Sequence, residues 1–495
     1  MTVADRSRPT TTATTLTTTS SSGTDIEAAP GSRALDGHSS PTSGSSDPNH
    51  VLDTTRSNEL SIRDEKQLGE VDDDASQHME KDPDAGITFP EGGLRAWLSV
   101  LGGFWCTFIT FGYLNSFGVF EDYYLQSFLS DKSSSQVAWI GAFQYFLLFA
   151  MGGVSGRLFD LGFFRPTFTF GCVLLVVSQM LLSLCTEYYQ FFLCQGVGLG
   201  LSFGIVFNMG INCPAHHFLQ RRAMAFGLIA TGSSTGGIIF PIMIRRLIPI
   251  VGFGWTMRIV GFFALFAVIS ASLCLSTRLP PSIDVSDKSK GGWKQVKWVD
   301  LDAFRVPAYS WFVFACTVVM LGLYMPFTYM DVFSQVHNVP ASGYYLSILN
   351  ASSMFGRALP GLVADKVGRI NVLLPHIAIS AVLLIFFPLC VNVGGLVAFA
   401  VIFGFTSGCY VSLIPACCAQ LGSTATVGTR NGMMFMVGSL GGLFGTPISG
   451  AILGDAPDYD WWGTAAFSFA TVLVGSFAIA TSRYFALNKQ LRGKI

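Results

Sequence analysis

Charge is what this sequence has least of. Of 495 residues only 12% are Asp, Glu, Lys or Arg, while 50% are hydrophobic and the mean hydropathy is +0.49. An ordinary soluble domain is about one quarter charged, so a single water-soluble globule is excluded, and soluble enzymes and nucleic-acid binders fall with it. The phosphate-cradling pattern GxxxxGK[S/T] is missing, which removes ATP-driven pumping. The cysteines number 11 and show neither CxxC nor Cys/His zinc spacing, so neither a disulfide framework nor a metal site is expected. They read as small apolar fillers. His216 and His217, beside Arg221, read as membrane-interface contacts rather than ligands. No acid/base or nucleophile constellation stands out, so neither enzymatic activity nor a cofactor is expected.

The little charge there is divides unevenly. Of the 31 acids and 30 bases, residues 1–86 hold 16 and 7, a net of -9. The remaining 409 residues hold 15 and 23, a net of +8. The acidic stretch is rich in Thr, Ser, Gly and Pro and lacks an apolar run of even eight residues, so neither a cleaved secretory signal nor a packed core is expected there. It reads as a disordered tail.

From Leu94 onward apolar runs follow one another, near 97–118, 136–156, 166–186, 190–212, 223–243, 254–275, 308–330, 343–363, 371–391, 394–415, 430–453 and 462–482. Each approaches the ~20 residues that cross a hydrocarbon core as a helix, the open-chain form in which lipid leaves no backbone group unsatisfied. The fold class expected is an all-α membrane protein of twelve transmembrane helices. One long polar interruption, within 277–307, divides the runs six and six. The organisation expected is a cytoplasmic tail over 1–86, a six-helix bundle over 87–276, an inter-half loop over 277–307, a second bundle over 308–483 and a short tail over 484–495. With the N-terminus inside, 16 loop and tail bases fall on the cytoplasmic side and four on the other, which sets both termini in the cytoplasm.

The two sets of six carry repeated signals. Gly156-Arg-Leu-Phe-Asp160 ends the second run and Gly361-Leu-Val-Ala-Asp365 the eighth, 205 residues apart. Gly232 precedes Pro241 by nine residues in the fifth run, and Gly438 precedes Pro447 by nine in the eleventh. Two coincidences in one register indicate duplication, and parallel repeats of this kind place a solute path between them. Asp160 with Arg165, and Asp365 with Lys366 and Arg369, set charges at helix ends where a carboxylate can meet a cation and a neighbouring helix N-terminus. These residues are the expected gate, together with Arg221 and Arg222 at the start of the fifth run.

Gly361-Leu-Val-Ala-Asp365-Lys-Val-Gly368-Arg369 resembles the loop signature of the major facilitator superfamily. Pro90-Glu91-Gly92-Gly93-Leu-Arg95-Ala-Trp97 and Phe218-Leu-Gln-Arg221-Arg222-Ala-Met-Ala225-Phe-Gly227 resemble the two signatures of its monocarboxylate porter family, and the polar tail resembles fungal members. The resemblance implies a twelve-helix carrier of an organic solute, with helices one, four, seven and ten lining its cavity. It also exposes departures. Asn115 stands where the proton-coupled animal carriers have a lysine, and Ser353 stands where they place an aspartate four residues before the arginine, here Arg357. Lactate–proton symport is therefore not carried over, and the coupling ion is left open, a proton being one candidate.

A charge deep in a membrane span defaults to function, so Arg357 is the leading solute-binding candidate, suited to a carboxylate or phenolate. Asn115 on the first helix, Asn208 and Asn212, which lie four residues apart on one face of the fourth, Tyr324 and Thr328 on the seventh, and Tyr410 on the tenth complete the expected cavity set. Amides, hydroxyls and rings suit a neutral or weakly acidic aromatic solute. The function expected is a secondary carrier in the plasma membrane, or alternatively the vacuolar membrane, exporting an organic acid or secondary metabolite. Uptake of a monocarboxylate or vitamin, and a non-transporting membrane sensor, are the alternatives. A small-molecule solute and the lipid bilayer are the expected partners, and nucleic acid is not.

Overall fold

The computed structural model describes residues 88–282, 298–340, 343–454 and 458–488, with 490 and 493. The expected disordered tail therefore lies outside the described residues, as does 283–297 of the inter-half loop. Every regular element among the described residues is a helix. In chain order these are α1 (Leu94–Gln126), α2 (Gln136–Asp160), α3 (Phe164–Leu182) and α4 (Tyr188–His216), then α5 and α6 within Arg222–Cys274. There follow α7 (Pro307–Val336), α8 (Tyr345–Val367), α9 (Arg369–Leu389), α10 (Val393–Gln420), α11 (Thr424–Leu453) and α12 (Trp461–Ala486).

All but α8 satisfy the length and hydropathy of a membrane crossing. Arg357, Asp365 and Lys366 sit in that helix and lower its hydropathy. The fifth and sixth runs are joined by no polar loop. Instead Arg222–Cys274 reads as one helix turned at Gly252, whose φ of 77° and ψ of 167° suit a residue without Cβ. Gly368, at φ 113°, makes a similarly abrupt join between α8 and α9.

Local chemistry fixes several of the helix starts. Ser133 and Gln136 form a capping box at α2, Asn392 accepts from the Gly395 N–H at α10, and Asp460 accepts from the Gly463 N–H at α12. The face where these helices start is called the far face here, and the face where α1, α5, α7 and α11 start is the near face. At the near face α5 and α11 begin without a side-chain cap of their own.

The repeat read in the sequence has a packing counterpart. Gly232 and Gly236 of α5 lie against the Phe104 and Phe108 carbonyls of α1, and Gly441 and Gly445 of α11 against the Thr317 and Leu321 carbonyls of α7. Small residues let backbones approach this closely where lipid supplies no hydrophobic drive between helices. The fifth helix thus seats on the first as the eleventh seats on the seventh.

Candidate solute site and gate

The uncapped helix starts at the near face are closed by carboxylates from the other set of six. Asp160, ending α2, accepts from the Gly428 N–H at 2.9 Å, the Thr429 N–H at 2.6 Å and the Thr429 hydroxyl at 2.6 Å. Asp365, near the end of α8, accepts from the Ala223 N–H at 3.0 Å and the Met224 N–H at 2.9 Å at the start of α5. Each carboxylate meets orphan donors and the positive end of a helix dipole. Arg369 stands 3.3 Å from Asp365 and donates to the Leu219 carbonyl at 2.6 Å. Arg222 crosses in the same region, donating to the Thr424 hydroxyl at 2.9 Å.

Glycines bring these ends together. Gly152 and Gly156 of α2 face Gly428 and Gly432 of α11, so that a Cβ at Gly156 would collide with the Gly428 carbonyl and one at Gly432 with that of Gly152. Two small-xxx-small pairs thus cross backbone to backbone. At the α5–α8 crossing, Gly361 meets the Ala223 carbonyl and Gly227 that of Arg357.

Farther into the membrane, a narrow cavity of about 20 Å³ lies between the two sets of helices. Its walls come from α1, α2, α4, α5, α7, α10 and α11, and five of the twelve lining residues are aromatic: Phe111, Phe149, Phe207, Tyr324 and Phe435. The rings touch in series, with Phe149 5.3 Å from Phe435 and 5.8 Å from Phe207, and Phe111 6.4 Å from Tyr324 between centroids. A π-helical stretch, Phe108–Gly112, carries Phe111 into this wall. Arg357 lies beside it, 1% exposed. Its Nη1 donates to the Ala230 carbonyl at 2.8 Å and to the Ser233 hydroxyl, both on wall residues of α5, while its Nε has no partner.

The expected site residues distribute unevenly. Tyr324 lines the cavity, and Arg357 reaches two residues that do. Asn208 and Asn212 share a face, yet the wall on α4 is Phe207 and Ile211. Asn208 donates to the Gly204 carbonyl, and Asn212 accepts from Asn431 of α11 at 2.9 Å, another bond between the two sets. Tyr410 donates to the Cys316 carbonyl at 3.1 Å, and Thr328 is exposed, its hydroxyl toward the Tyr324 carbonyl. Asn115 lies one turn beyond Phe111 on α1. Among the expected gate residues, Arg165 does not pair with Asp160: it donates to the Ser272 and Leu275 carbonyls at 2.7 and 3.1 Å. Lys366 and Arg221 are exposed.

Reading residues one by one missed Glu91. Its carboxylate accepts from three successive N–H groups, Leu219 and Gln220 at 2.7 Å and Arg221 at 3.1 Å, just before α5. The signal was present, since Glu91 belongs to a motif already noted, but its partners lie about 130 residues away. The aromatic wall was missed because Phe in an apolar run carries no sign of which side it faces.

Residues 96–446 match the Major Facilitator Superfamily. The chain is 38% identical over 387 residues to the aspyridones efflux protein of Emericella nidulans, covering 77% of each. It is 37% identical over 391 residues to the agnestins efflux protein of Paecilomyces divaricatus, covering 79% of this chain and 87% of that one. Among solved structures, the major facilitator transporter FucP in its outward conformation aligns with a TM-score of 0.56 at 16% identity, over 79% of this chain and 98% of that one, which is a likeness of fold. With the helical architecture, the paired repeats and these matches in hand, the chain belongs to the Major Facilitator Superfamily.

Proposed function

We propose that this carrier exports a small, flat, acidic organic solute of secondary-metabolite type, by rocking of the bundles 87–276 and 308–483 about the central cavity. The observation that carries the reading is Arg357 beside the aromatic wall. It is a buried guanidinium that donates to a carbonyl and a hydroxyl, both neutral. A buried cation without an opposite charge is costly, and an anionic solute would supply that charge on binding. Rings at 5–6 Å spacing favour a conjugated solute over an aliphatic acid. Relatives named as efflux proteins for aspyridones and agnestins support the outward direction.

The charge distribution supports an orientation with both termini and the near face cytoplasmic. The near-face bonds then hold the carrier shut toward the cytoplasm, and export requires them to break so that solute can load. The signatures around Glu91 and Arg221 support placement near the monocarboxylate porters, while Asn115 and Ser353 argue for a different solute and coupling. The test is export of acidic aromatic compounds from cells expressing the chain or its Arg357→Gln variant. Export should fall at least tenfold in the variant at equal surface expression; unchanged export would remove Arg357 from the site.

A further inference from the structure

Toward the far face the central cavity is closed by one thin layer of rings. Phe111 of α1 and Tyr324 of α7, both in the cavity wall, each stand 17 residues beyond the first residue of their helix, Leu94 or Pro307. Tyr324 meets two rings of the other set, Phe111 at 6.4 Å and Tyr145 of α2 at 5.6 Å between centroids. Tyr145 rests against α11, where a Cβ at Gly442 would strike its ring. Tyr324 also sits where α7 is interrupted. The regular stretches are Pro307–Gly322 and Met325–Val336, and Tyr324 between them has φ −88° and ψ 0°. Pro326 accounts for the break, since it has no N–H to give the Gly322 carbonyl. α1 is interrupted in the same way at Ser116, with φ −90° and ψ 0°.

Beyond this layer there is open space between the two sets. The far stretches of α1 and α7 face each other, because the charges of Asp122 and Asp331 act on one another and Arg245 of α5 acts on both. Gly118 lies four residues before Asp122, and Thr328 lies between Tyr324 and Asp331, so both share those faces. Thr328 and Asp122 are exposed, and a Cβ at Gly118 would meet nothing within 4 Å. Solvent thus comes within about 6 Å of Tyr324 along α7 from the far side. On the near side the cavity is backed instead by the Asn212–Asn431 bond and by the two carboxylate caps. We infer that Tyr324 is the far gate of the carrier: its ring divides the central cavity from an outer vestibule and parts from Phe111 and Tyr145 to join them. The break in α7 lets the ring move without cost to a helical hydrogen bond, because the Gly322 carbonyl has already lost its donor. The inference rests on the central cavity being the transport path and is independent of which solute takes it.

The test is the rate at which a small, water-soluble methanethiosulfonate modifies single cysteines in the full-length protein, in nanodiscs, with the native cysteines replaced and no solute present. In the parent, Gly118→Cys and Thr328→Cys should react readily, and Val411→Cys, in the cavity wall, slowly. Tyr324→Ala should speed the Val411→Cys reporter about tenfold, since two ring contacts are lost, and Tyr145→Ala, which removes one of them, should speed it severalfold. Tyr324→Phe keeps the ring and should match the parent. None of the three should change the rate of Ala425→Cys at the near face. The gate is overturned if neither alanine variant speeds Val411→Cys, if Tyr324→Phe opens the cavity as far as Tyr324→Ala, or if Ala425→Cys speeds up in step, which would mean a loosened carrier. Slow reaction of Gly118→Cys and Thr328→Cys would remove the vestibule and the gate with it. Because no solute takes part, failed export of acidic aromatic compounds would leave this result standing, and a failed gate would leave the role of Arg357 to its own test.

Discussion

At the α2–α11 seam, Asp160 is 5% exposed and takes three donors from the start of α11 across a double glycine crossing. At the α8–α5 seam, Asp365, its side chain 10% exposed, takes two donors from the start of α5 and shares its charge with Arg369 at 3.3 Å. The same device, a carboxylate capping a helix of the other set, is thus built twice with different supports. The difference traces to one residue of spacing. Arginine follows the aspartate by four positions in the second copy and by five in the first. The extra residue turns Arg165 toward the end of α6, and hydroxyl and backbone donors serve Asp160 instead. Repeats therefore preserve the function of a contact more strictly than its residues.

The largest effect should come from removing charge at the α2–α11 seam, whose carboxylate holds the more cross-set donors of the two aspartates. Asp160→Asn weakens three charge-assisted bonds, each worth about 1.5–3 kcal/mol. The near face should open about 100-fold more often, read as the alkylation rate of a cysteine at Ala425 with the native cysteines replaced. Asp365→Asn should raise the same rate about tenfold, because that carboxylate holds two donors rather than three and Arg369 keeps its bond to the Leu219 carbonyl. A larger effect at Asp365 than at Asp160 would break the comparison.

The two seams also differ in how far the sequence discloses them. The twelve spans were legible because ~20-residue apolar runs admit few alternatives in lipid. What was not legible is how the fifth and sixth spans join, because the sharp turn at Gly252 needs no polar loop. Asp160 and Asp365 were legible as a pair through their repeat, and Asp365–Arg369 through its spacing. That Asp160 bonds to Thr429 was not, since the partner lies 269 residues away and looks like any helix start. In the cavity, Arg357 announced itself as a charge in a span, whereas Asn208 and Asn212 were chosen for polarity and their α4 neighbours Phe207 and Ile211 form the wall. Polarity shows which residues need partners but not which side of a helix the solute occupies.

Glu91 sharpens the comparison, because it supports only one seam. Its carboxylate holds the Leu219, Gln220 and Arg221 N–H groups, directly before the two that Asp365 holds. Five donors at the start of α5 are thus divided between two acids, whereas those of Gly428 and Thr429 face Asp160. Glu91→Ala should raise near-face opening about fivefold, in line with loss of a helix cap worth ~1 kcal/mol. Combined with Asp365→Asn the effects should be less than additive, and combined with Asp160→Asn they should simply add. Equal coupling to both aspartates would mean that the seams open as one unit.

The smallest effect is expected at Arg165, where the sequence alone would place a large one. If the first seam depended on a salt bridge as the second does, Arg165→Ala would match Arg369→Ala. The guanidinium instead reaches carbonyls at the end of α6, within the same set of helices, on a partly exposed surface. Such bonds stabilise by about 1 kcal/mol or less, and they lie off the path along which the two sets separate. Arg165→Ala should leave Ala425 alkylation within twofold of the parent and cost a few degrees of thermal stability, while Arg369→Ala should open the near face severalfold. A strong gating effect at Arg165 would show that Asp160 recruits it in another conformation of the transport cycle, and the asymmetry would then belong to this conformation rather than to the carrier.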